Sequence, residues 1–327
     1  MKKVAVIGAG LSGLVVARQL QTLADVTVFE KSRGAGGRMT TRYAGDFEFD
    51  HGAQFFTART EDFQAFLQPL IADGIVADWQ AQFAEFDRDN MTTLRSWEGA
   101  YPHYVGAPRM NSIGKALSAD LNIAFETAIT AIRRSSDGWT LSDRTGTRSG
   151  PFDWIVVTAP APQTAVLADA FPDLVAYCGA RSMLGCFALM LGFAEPIDLQ
   201  WQAAFVRNAD ISWISVNSSK PGRTNPFTLV VHSTNAWADA HMEDDIDYVR
   251  GHILDEASLV TGKDMRGWAH SQMHRWRYAN IARQDGPTYF LDEDSGLAAC
   301  GDWCLRGRIE AAFTSASDLA GALVDRI

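Results

Sequence analysis

A glycine-rich turn near the amino terminus places the strongest constraint on how this chain can fold. The apolar run at residues 4–7 is followed by the sequence Gly-Ala-Gly-Leu-Ser-Gly at 8–13. Apolar residues then recur at helical spacing, and a second apolar run, 26–29, ends at Glu30. This order of strand, glycine turn, helix, strand and acid predicts the first βαβ unit of a dinucleotide-binding domain.

Each part of this unit has a physical role in holding a dinucleotide. Gly8 forms the tight turn, Gly10 lets the backbone approach a pyrophosphate, and Gly13 lets the helix pack closely on the strand. The first N–H groups of the helix face the pyrophosphate. Glu30 can accept hydrogen bonds from the ribose hydroxyls, which favours NAD or FAD over a 2′-phosphorylated dinucleotide. The other contacts expected here are Leu11, Ser12 and Lys31. The alternative is an ordinary glycine-rich turn in which Glu30 only ends a strand.

A second glycine-rich segment, at residues 32–41, favours FAD over NAD. In nicotinamide enzymes the chain usually enters the next helix directly after the acid. Here Gly36 and Gly37 let the backbone pass close to a ligand, and Arg38 offers a forked donor to phosphate. Residues 32–41 resemble the double-glycine motif of flavin amine oxidases and desaturases. The turn containing Ala53 and Gln54 resembles the one beside the flavin ring in that superfamily. A solvated basic loop is the alternative.

The pattern is most similar to that of the renalase family. The amine-oxidase motif has an arginine two residues before the glycine pair, where this chain has Gly34. The sequences KSRGAGGRM at 31–39, DHGAQFFTAR at 50–59 and CGDWCLRGRIEAAF at 300–313 resemble renalase motifs instead. SKPGR at 219–223 and HRWRYA at 274–279 also resemble renalase segments, so the resemblance covers nearly the whole chain.

The renalase resemblance implies an activity and a set of site residues. It implies noncovalent FAD, a substrate of dihydronicotinamide dinucleotides reduced at ring position 2 or 6, and NAD(P)⁺ as product. Transfer of hydride to flavin N5 is then followed by reoxidation with O₂ to H₂O₂. No side chain is expected to act as an acid or base, and no metal is expected. The expected cofactor contacts from the superfamily are Gly37, Arg38, Ala53, Gln54, Ile129, Asp302 and Ile309. The expected substrate contacts are Phe55, Phe56, Thr57, Ala58, Arg59, Ala188, His232, Trp276, Tyr278 and Trp303, with Arg275 as a weaker candidate.

Three residue types, lysine, histidine and cysteine, bear on the chemistry. Amine oxidases commonly place a lysine near flavin N5, but this chain has only six lysines. Lys220 lies in a Ser/Pro/Gly loop and Lys263 follows a glycine, so both are poor candidates for a buried strand position and hydride transfer without a base is favoured. A lysine displaced from the usual position is the alternative. His270 and His274 have the spacing of metal ligands on a helix but lack an acidic or cysteine partner. Cys300 and Cys304 match neither a CxxC pair nor the covalent flavin motif, which predicts inert thiols.

Because cofactor motifs lie near both ends, the sequence predicts an α/β fold whose Rossmann-like FAD-binding domain is assembled from discontinuous segments. These are 1–75, 108–168 and 290–327. Residues 76–107 and 169–289 are expected to form an α+β substrate domain with a mainly antiparallel sheet. This is the architecture of amine oxidases and p-hydroxybenzoate hydroxylase. Strands are expected within 123–134, 138–143 and 153–160, and a helix over 244–260.

Composition limits the partners of the protein. The net charge of −10 argues against sequence-independent nucleic-acid binding, which needs Lys and Arg to neutralise phosphates. No apolar run approaches the ~18 residues of a membrane helix, and the four cysteines suggest a reduced, cytoplasmic protein. Another FAD oxidoreductase acting on an amine or an apolar substrate, or a flavin-binding protein without turnover, remains possible at this stage.

Overall fold

The computed structural model describes residues 1–224 and 226–327, and they form two compact units. Unit 1 comprises Met1–Met39, Ile113–Met183 and Asn280–Ile327, and unit 2 comprises Thr40–Ser112 and Leu184–Ala279. Strands and helices are numbered along the whole chain.

Unit 1 contains a six-stranded sheet and a three-stranded antiparallel sheet. The strands are β1 (Lys3–Ile7), β2 (Asp25–Phe29), β9 (Ile123–Ala124), β10 (Ile129–Ser135), β11 (Gly138–Asp143), β12 (Arg148–Phe152), β13 (Trp154–Val157), β19 (Tyr289–Asp292) and β20 (Leu297–Cys300). The helices are α1 (Leu11–Leu20), α3 (Asn111–Ser118), α4 (Ala161–Leu167), α5 (Pro172–Gly179) and α8 (Ile309–Val324).

The six strands follow the order β19-β20-β13-β1-β2-β9, and each neighbouring pair is parallel except β19 with β20. Residues 4–6 of β1 are completely buried, because β1 lies in the interior of the sheet. Parallel strands buried on both faces read as continuous apolar runs, as this one does. The carboxyl ends of β1 and β2 meet at one edge, where ligands of open α/β sheets bind.

Helices α1 and α8 lie side by side and run in the same direction. The Ser12 hydroxyl donates to the Ala312 carbonyl at 2.9 Å, and the Gln19 amide donates to the Ser317 hydroxyl at 3.1 Å. Both contacts join equivalent turns, so the two helices begin at the same end of unit 1.

Unit 2 is built on a seven-stranded sheet, ordered β18-β14-β17-β16-β15-β6-β7. Its strands, with those of two small two-stranded sheets, are β3 (Arg42–Ala44), β4 (Phe47–Phe49), β5 (Val76–Asp78), β6 (Gln82–Asp87), β7 (Asn90–Ser96), β8 (Tyr104–Gly106), β14 (Leu184–Gly192), β15 (Ala203–Arg207), β16 (Ile211–Val216), β17 (Thr228–Ser233) and β18 (His270–Asn280). The helices are α2 (Glu61–Ala72), α6 (Asn235–Ala240) and α7 (Ile246–Thr261).

One face of this sheet packs against α7. Phe187 and Leu189 of β14 share a buried cluster with Val249 and Ile253 of α7. Asp245 caps α7 by accepting from the backbone N–H groups of residues 247 and 248, and Gly262 ends it in the left-handed region at φ 63°. The helix therefore occupies nearly the range predicted from its spacing.

The α/β architecture with a Rossmann-like unit is confirmed, and the second sheet is antiparallel at β14/β17, β17/β16, β16/β15 and β6/β7. The compact units differ from the predicted domains at residues 40–75, which lie in unit 2 because Phe49 packs on Met190 and Val230. Residues 108–112 also lie in unit 2, and 169–183 and 280–289 lie in unit 1. Which segments serve the cofactor and which serve the substrate remains a prediction.

Over the residues that the structure describes, none of the helices combines the length and the apolar character needed to cross a membrane.

Candidate functional site

The glycine turn after β1 has the geometry that its sequence predicts. Gly8 adopts φ 110°, a conformation that residues with a side chain rarely reach. A Cβ at Gly13 would lie 1.9 Å from the Gly8 carbonyl oxygen, so only glycine lets α1 approach the turn this closely. A Cβ at Gly10 would instead project into open space at the start of α1. The helix start therefore leaves room for a ligand to contact its backbone.

Two helix amino termini meet at this end of unit 1. Neither Gly10 before α1 nor Arg308 before α8 caps its helix with a side-chain hydrogen bond. Because α1 and α8 begin together, the partial positive charges of both helices act on the same region. This arrangement suits the pyrophosphate of a dinucleotide. The predicted contacts Leu11, Ser12 and Ile309 lie in the first turns of these helices.

Glu30 organises the loops at the end of β2. Its two carboxylate oxygens accept from the backbone N–H groups of Ala9 and Ser32, both at 2.8 Å. Each carboxylate oxygen can accept a second hydrogen bond, so a ribose hydroxyl can bind there as well. The Glu30 carbonyl accepts from Thr127 N–H at 2.9 Å, which brings the chain before Ile129 to the same place. Lys31 is exposed beside it.

The double-glycine segment packs directly on the first glycine turn. Gly36 N–H donates to the Ala9 carbonyl at 2.8 Å, and Gly36 forms a bridge with Gly10. Both Gly36 and Gly37 have positive φ, 117° and 56°. A Cβ at Gly37 would lie 3.2 Å from the Gly10 Cα. The two glycine segments thus form one continuous backbone surface, as a dinucleotide cradle requires.

Arg38 and Asp302, predicted separately as cofactor contacts, form an ion pair in unit 1. The Arg38 guanidinium donates to Asp302 Oδ1 at 2.5 Å, and Asp302 is 5% exposed. Asp302 follows β20, so the pair joins the loop after β2 to the loop before α8. The guanidinium carries five N–H donors in a planar fork, a geometry that suits phosphate oxygens.

In unit 2, Asp50 is the centre of a buried charge cluster. It accepts from Thr41 Oγ1 at 2.7 Å, from Met110 N–H at 3.0 Å and from Arg223 at 2.5 Å. The Lys220 ammonium lies 3.6 Å away. Burial opposes ionisation of Asp50, but the charges of Lys220 and Arg223 outweigh it and lower its pKa. Asp50 therefore remains a carboxylate.

Lys220 lies off the strands, as expected, but its side chain is completely buried, which the loop composition did not indicate. It follows a 3₁₀ turn at Asn217–Ser219, and Nζ donates to Gln54 Oε1 at 3.2 Å. Burial, opposed by Asp50 and assisted by Arg223, lowers the pKa of Lys220 to about 8. Local composition suggested a loop, but the residues that cover this loop come from other parts of unit 2.

A cluster of imidazole and indole rings lies next to Gln54. The His51 carbonyl accepts from Trp276 Nε1 at 2.9 Å and lies 3.3 Å from His232 Nε2, which is 3.5 Å from Gln54 Nε2. The His51 ring stacks on Trp276 and meets His274 edge-on, with centroids at 5.3 and 4.8 Å. Of these residues, Gln54, His232 and Trp276 were predicted.

His270 and His274 lie on β18, so their helical metal-ligand spacing has no meaning here, and His51 and His274 were missed as site residues. The strand-like alternation of the 270–278 segment is the signal that could have found His274.

A second aromatic group, which we call the Phe55 cluster, consists of Phe55, Trp97, His103 and Trp213. Trp97 stacks on His103 with centroids 3.8 Å apart, and Phe55 contacts all three other rings. All four residues are only partly buried. Trp97, His103 and Trp213 were not predicted, because they are far apart in sequence and carry no motif. Partly exposed aromatic rings can contact an aromatic ligand through their edges or faces.

The other predicted substrate residues are dispersed. Phe56 packs on Phe63, and Arg59 lies over the Tyr101 ring. Trp303 is 1% exposed in the core of unit 1, where Nε1 donates to the Ala159 carbonyl. Thr57 and Tyr278 are half-buried, Ala58 and Ala188 are buried, and Ala188 pairs with His232 across β14 and β17. Ala53 is half-buried next to Gln54, and Arg275 lies over the Phe187 ring. The roles of these residues remain predictions.

The thiols Cys300 and Cys304 are buried, and a polar cluster in unit 2 is held together by its own hydrogen bonds. Cys300 and Cys304 are buried and free, and burial raises the pKa of Cys304 to about 11. Asp210, His252 and Glu256 bring ligand atoms within 4.8 Å of one another. However, His252 binds the Asp210 carboxylate at 2.8 Å, and Glu256 accepts from Asp210 N–H at 3.1 Å. Hydrogen bonds within the group account for this arrangement.

Comparison with known proteins identifies similar sequences and folds. Residues 6–70 match the NAD(P)-binding Rossmann-like domain, and residues 81–324 match the flavin-containing amine oxidoreductase family. An Exiguobacterium protein assigned as a protoporphyrinogen oxidase superposes with a TM-score of 0.78 at 12% identity, covering 100% of this chain and 99% of that one.

Wild-type putrescine oxidase bound to putrescine gives a TM-score of 0.72 at 13% identity, with 99% of each chain covered. A fatty acid isomerase from P. acnes gives 0.72 at 12% identity, with 98% of each covered. At these identities the three structures share the fold of the chain, and they are named for different reactions.

Proposed function

This chain belongs to the flavin-containing amine oxidoreductase family, and on that premise we propose that it oxidises dihydronicotinamide dinucleotides reduced at ring position 2 or 6. The cofactor of the family is FAD, and unit 1 has the glycine cradle, the paired helix starts and the Arg38–Asp302 pair that suit it. The motifs at 31–39, 50–59 and 300–313, which resemble those of renalases, support the choice of substrate.

The charges around Gln54 and His51 carry the proposal. Lys220 and Arg223 lie on one side of this turn, and Arg42 lies near enough to His51 to lower its pKa. Of the charged side chains that act on His51, His274 and Lys220, Arg42 and Arg223 are cations and Asp50 is the anion. Asp50 is fully engaged by Arg223, Lys220 and Thr41. A protonated amine would be repelled by such a surface, whereas an anionic dinucleotide would be attracted.

The Phe55 cluster supplies the second requirement of a dinucleotide substrate. Its partly buried rings offer a planar apolar surface for a nicotinamide or adenine ring. Stacking holds a flat substrate without a charged partner. The dihydronicotinamide ring becomes cationic only as it loses its hydride, so this kind of contact suits it.

The chemistry needs little acid–base help from the chain. When bound, FAD accepts a hydride from the substrate and passes the two electrons to O₂, giving NAD(P)⁺ and H₂O₂. Loss of the hydride restores an aromatic pyridinium, so no proton has to be removed. The side chains of unit 2 then act by holding the ring in place and by excluding water.

The test is anaerobic reduction of the FAD-loaded protein. Borohydride-treated NAD⁺, which contains the 2- and 6-dihydro isomers, is expected to bleach the flavin band near about 450 nm within seconds. Purified 4-dihydro NADH at equal concentration is the matched control and is expected to act far more slowly. Rapid bleaching by putrescine or another amine, with none by the dihydro isomers, would overturn the proposal.

The buried Lys220 favours a second candidate function, oxidation of an amine. A lysine with a pKa of about 8 is partly neutral near pH 8, and its Nζ contacts Gln54 of the turn that resembles the flavin-contacting one. Such a lysine could assist proton removal from an amine.

The variant Lys220→Met separates the two functions. Asp50 and Arg223 still form a neutral pair in this variant, so the fold is expected to persist. If the substrate is an amine, its reduction of the flavin should slow at least about a hundredfold. If the substrate is a dihydronicotinamide, the rate at saturating substrate should change less than about threefold, because no base takes part.

A further inference from the structure

We propose that Arg42, His51 and His274 form a binding site for a phosphate-type anion in unit 2, and that this site holds the pyrophosphate of the substrate. The second statement rests on the proposed function, while the first does not. The site lies on β3, on the residues that follow β4, and on β18.

The first observation is a group of buried nitrogen atoms without partners. Arg42 Nε, His51 Nδ1 and His270 Nε2 have no hydrogen-bond partner among the described residues. Buried polar atoms are almost always hydrogen-bonded, so several orphans in one place call for an explanation. All of these atoms are nitrogens that can donate, which is the complement of an anion rich in oxygen acceptors.

The second observation is that these residues are close together. Arg42 pairs with Phe49 across the β3–β4 hairpin, and the Phe49 ring stacks on His270 at 5.6 Å. His51 lies two residues beyond Phe49 and meets the His274 ring at 4.8 Å. His270 and His274 are four residues apart on β18, so they point to the same face of the strand.

The third observation is the sign of the local field. Burial, followed by His274, Arg42 and His232, lowers the pKa of His51 to about 3, and only the Phe49 carbonyl opposes this. Burial and Arg42 lower the pKa of His274 to about 4. No acid contributes to either shift. The acid nearest to His51 in sequence, Asp50, is 1% exposed and is bound by Arg223. In the described part of the chain, Arg42 forms no ion pair.

These features fit a phosphate better than a metal ion. A cation would meet the Arg42 charge, and its ligands would have to be two imidazoles without a carboxylate. A phosphate oxygen can accept from the Arg42 fork and from the N–H of a neutral imidazole at the same time. The pyrophosphate of the substrate is separate from the reacting ring. The free energy of its binding can therefore be used to orient the nicotinamide.

The first experiment measures binding without turnover. The FAD-loaded protein, whose dinucleotide cradle is filled, is titrated with inorganic pyrophosphate while the histidine C2–H resonances are followed by NMR. The resonances of His51 and His274 are expected to shift and their apparent pKa values to rise. Arg42→Gln should weaken this binding about tenfold or more, and Arg42→Lys, which keeps the charge but not the fork, should lie between.

Arg95→Gln is the matched control, because Arg95 is an exposed arginine of unit 2 paired with Glu85. It is expected to leave the titration unchanged. Flavin absorbance of each variant checks that it is folded.

The second experiment uses turnover to identify the source of the anion. Arg42→Gln should raise KM for the dihydro-dinucleotide about tenfold with little change in kcat, and should leave the phosphate-free riboside unaffected. Pyrophosphate should compete with the dinucleotide in the wild type.

The outcomes separate the two proposals. A wild type that oxidises the dinucleotide but gives no pyrophosphate shifts, or no change in Arg42→Gln, overturns the site. Pyrophosphate that binds without competing overturns its assignment to the substrate. Pyrophosphate shifts that depend on Arg42, in a protein whose flavin no dihydronicotinamide reduces, support the anion site and overturn the proposed function.

Discussion

Arg223 donates a hydrogen bond to Asp50 at 2.5 Å, and each of these side chains is only 1% exposed. The pair connects the Lys220–Arg223 segment to the turn that carries His51 and Gln54. It therefore holds together the residues on which the proposed chemistry depends.

Removing one partner of this pair should be costly. Arg223→Leu leaves the Asp50 carboxylate buried with Lys220 as its remaining positive partner, so the free energy of unfolding should fall by about 3 kcal/mol. Urea denaturation monitored by tryptophan fluorescence measures the change. Arg207→Leu, which removes an exposed partner of Glu85, is the control and should cost less than about 1 kcal/mol. Equal losses in the two variants would show that burial of the pair has no energetic weight.

A side chain at Gly10 should block FAD without disturbing the fold. Gly10 has φ −71°, which alanine adopts easily, and the added Cβ meets no protein atom within 4 Å. Gly10→Ala should keep the urea midpoint of the apoprotein and weaken FAD binding about tenfold or more, because the methyl group occupies space at the helix start. Gly34→Ala, which also meets nothing, should retain affinity. Unchanged FAD binding in Gly10→Ala would place the cofactor elsewhere.

Both carboxylate oxygens of Glu30 are expected to contribute to FAD binding. Glu30→Gln turns one acceptor into an NH₂ group that faces Ala9 or Ser32 N–H, so one hydrogen bond is lost and two donors are opposed. The free energy of FAD binding should become less favourable by roughly 1–3 kcal/mol. Fluorescence titration with FAD measures this change. Lys31→Gln, next to it and exposed, is the control. A loss confined to the control would contradict this account.

The buried histidines predict a loss of stability in mild acid. In the folded protein the pKa values of His51 and His274 are about 3 and about 4, against 6.5 for an ordinary histidine. Between pH 6.5 and these values, the two histidines bind more protons in the unfolded chain than in the folded protein. Their contribution to the free energy of unfolding is therefore fully present above pH 6.5 and is lost as the pH falls toward the folded-state pKa values.

Urea midpoints between about pH 7 and about pH 4.5, in buffers without phosphate, test this slope. The groups that act on these two rings are Arg42, His232 and the Phe49 carbonyl. Arg42→Gln removes the charge that lowers both pKa values, so it should make the slope shallower. A steeper slope in this variant would contradict the assignment.

The cofactor cradle could be predicted from sequence because its contacts are local. Gly8, Gly13 and Glu30 are close along the chain, and each has a backbone role that few other residues can fill. The carboxyl ends of β1 and β2 then bring them together in any Rossmann-like sheet.

The contacts of unit 2 could not be predicted in the same way. Lys220 becomes buried because other segments cover its loop, and its partner Gln54 lies 166 residues away. The rings of the Phe55 cluster are likewise brought together by strand order, which local periodicity does not encode. His274 shows a related difficulty, since a spacing of four residues also puts two side chains on one face of a strand.

The hydrogen bond between Ser12 and Ala312 joins residues 300 positions apart. The first turns of α1 and α8 therefore exist as a pair only after the 300 residues that follow Ser12 have been synthesised. Until then, the emerging chain lacks half of its phosphate-facing helix starts. Cofactor capture should consequently wait until α8 has been synthesised, and ribosome-bound chains stalled before α8 should be unable to retain flavin.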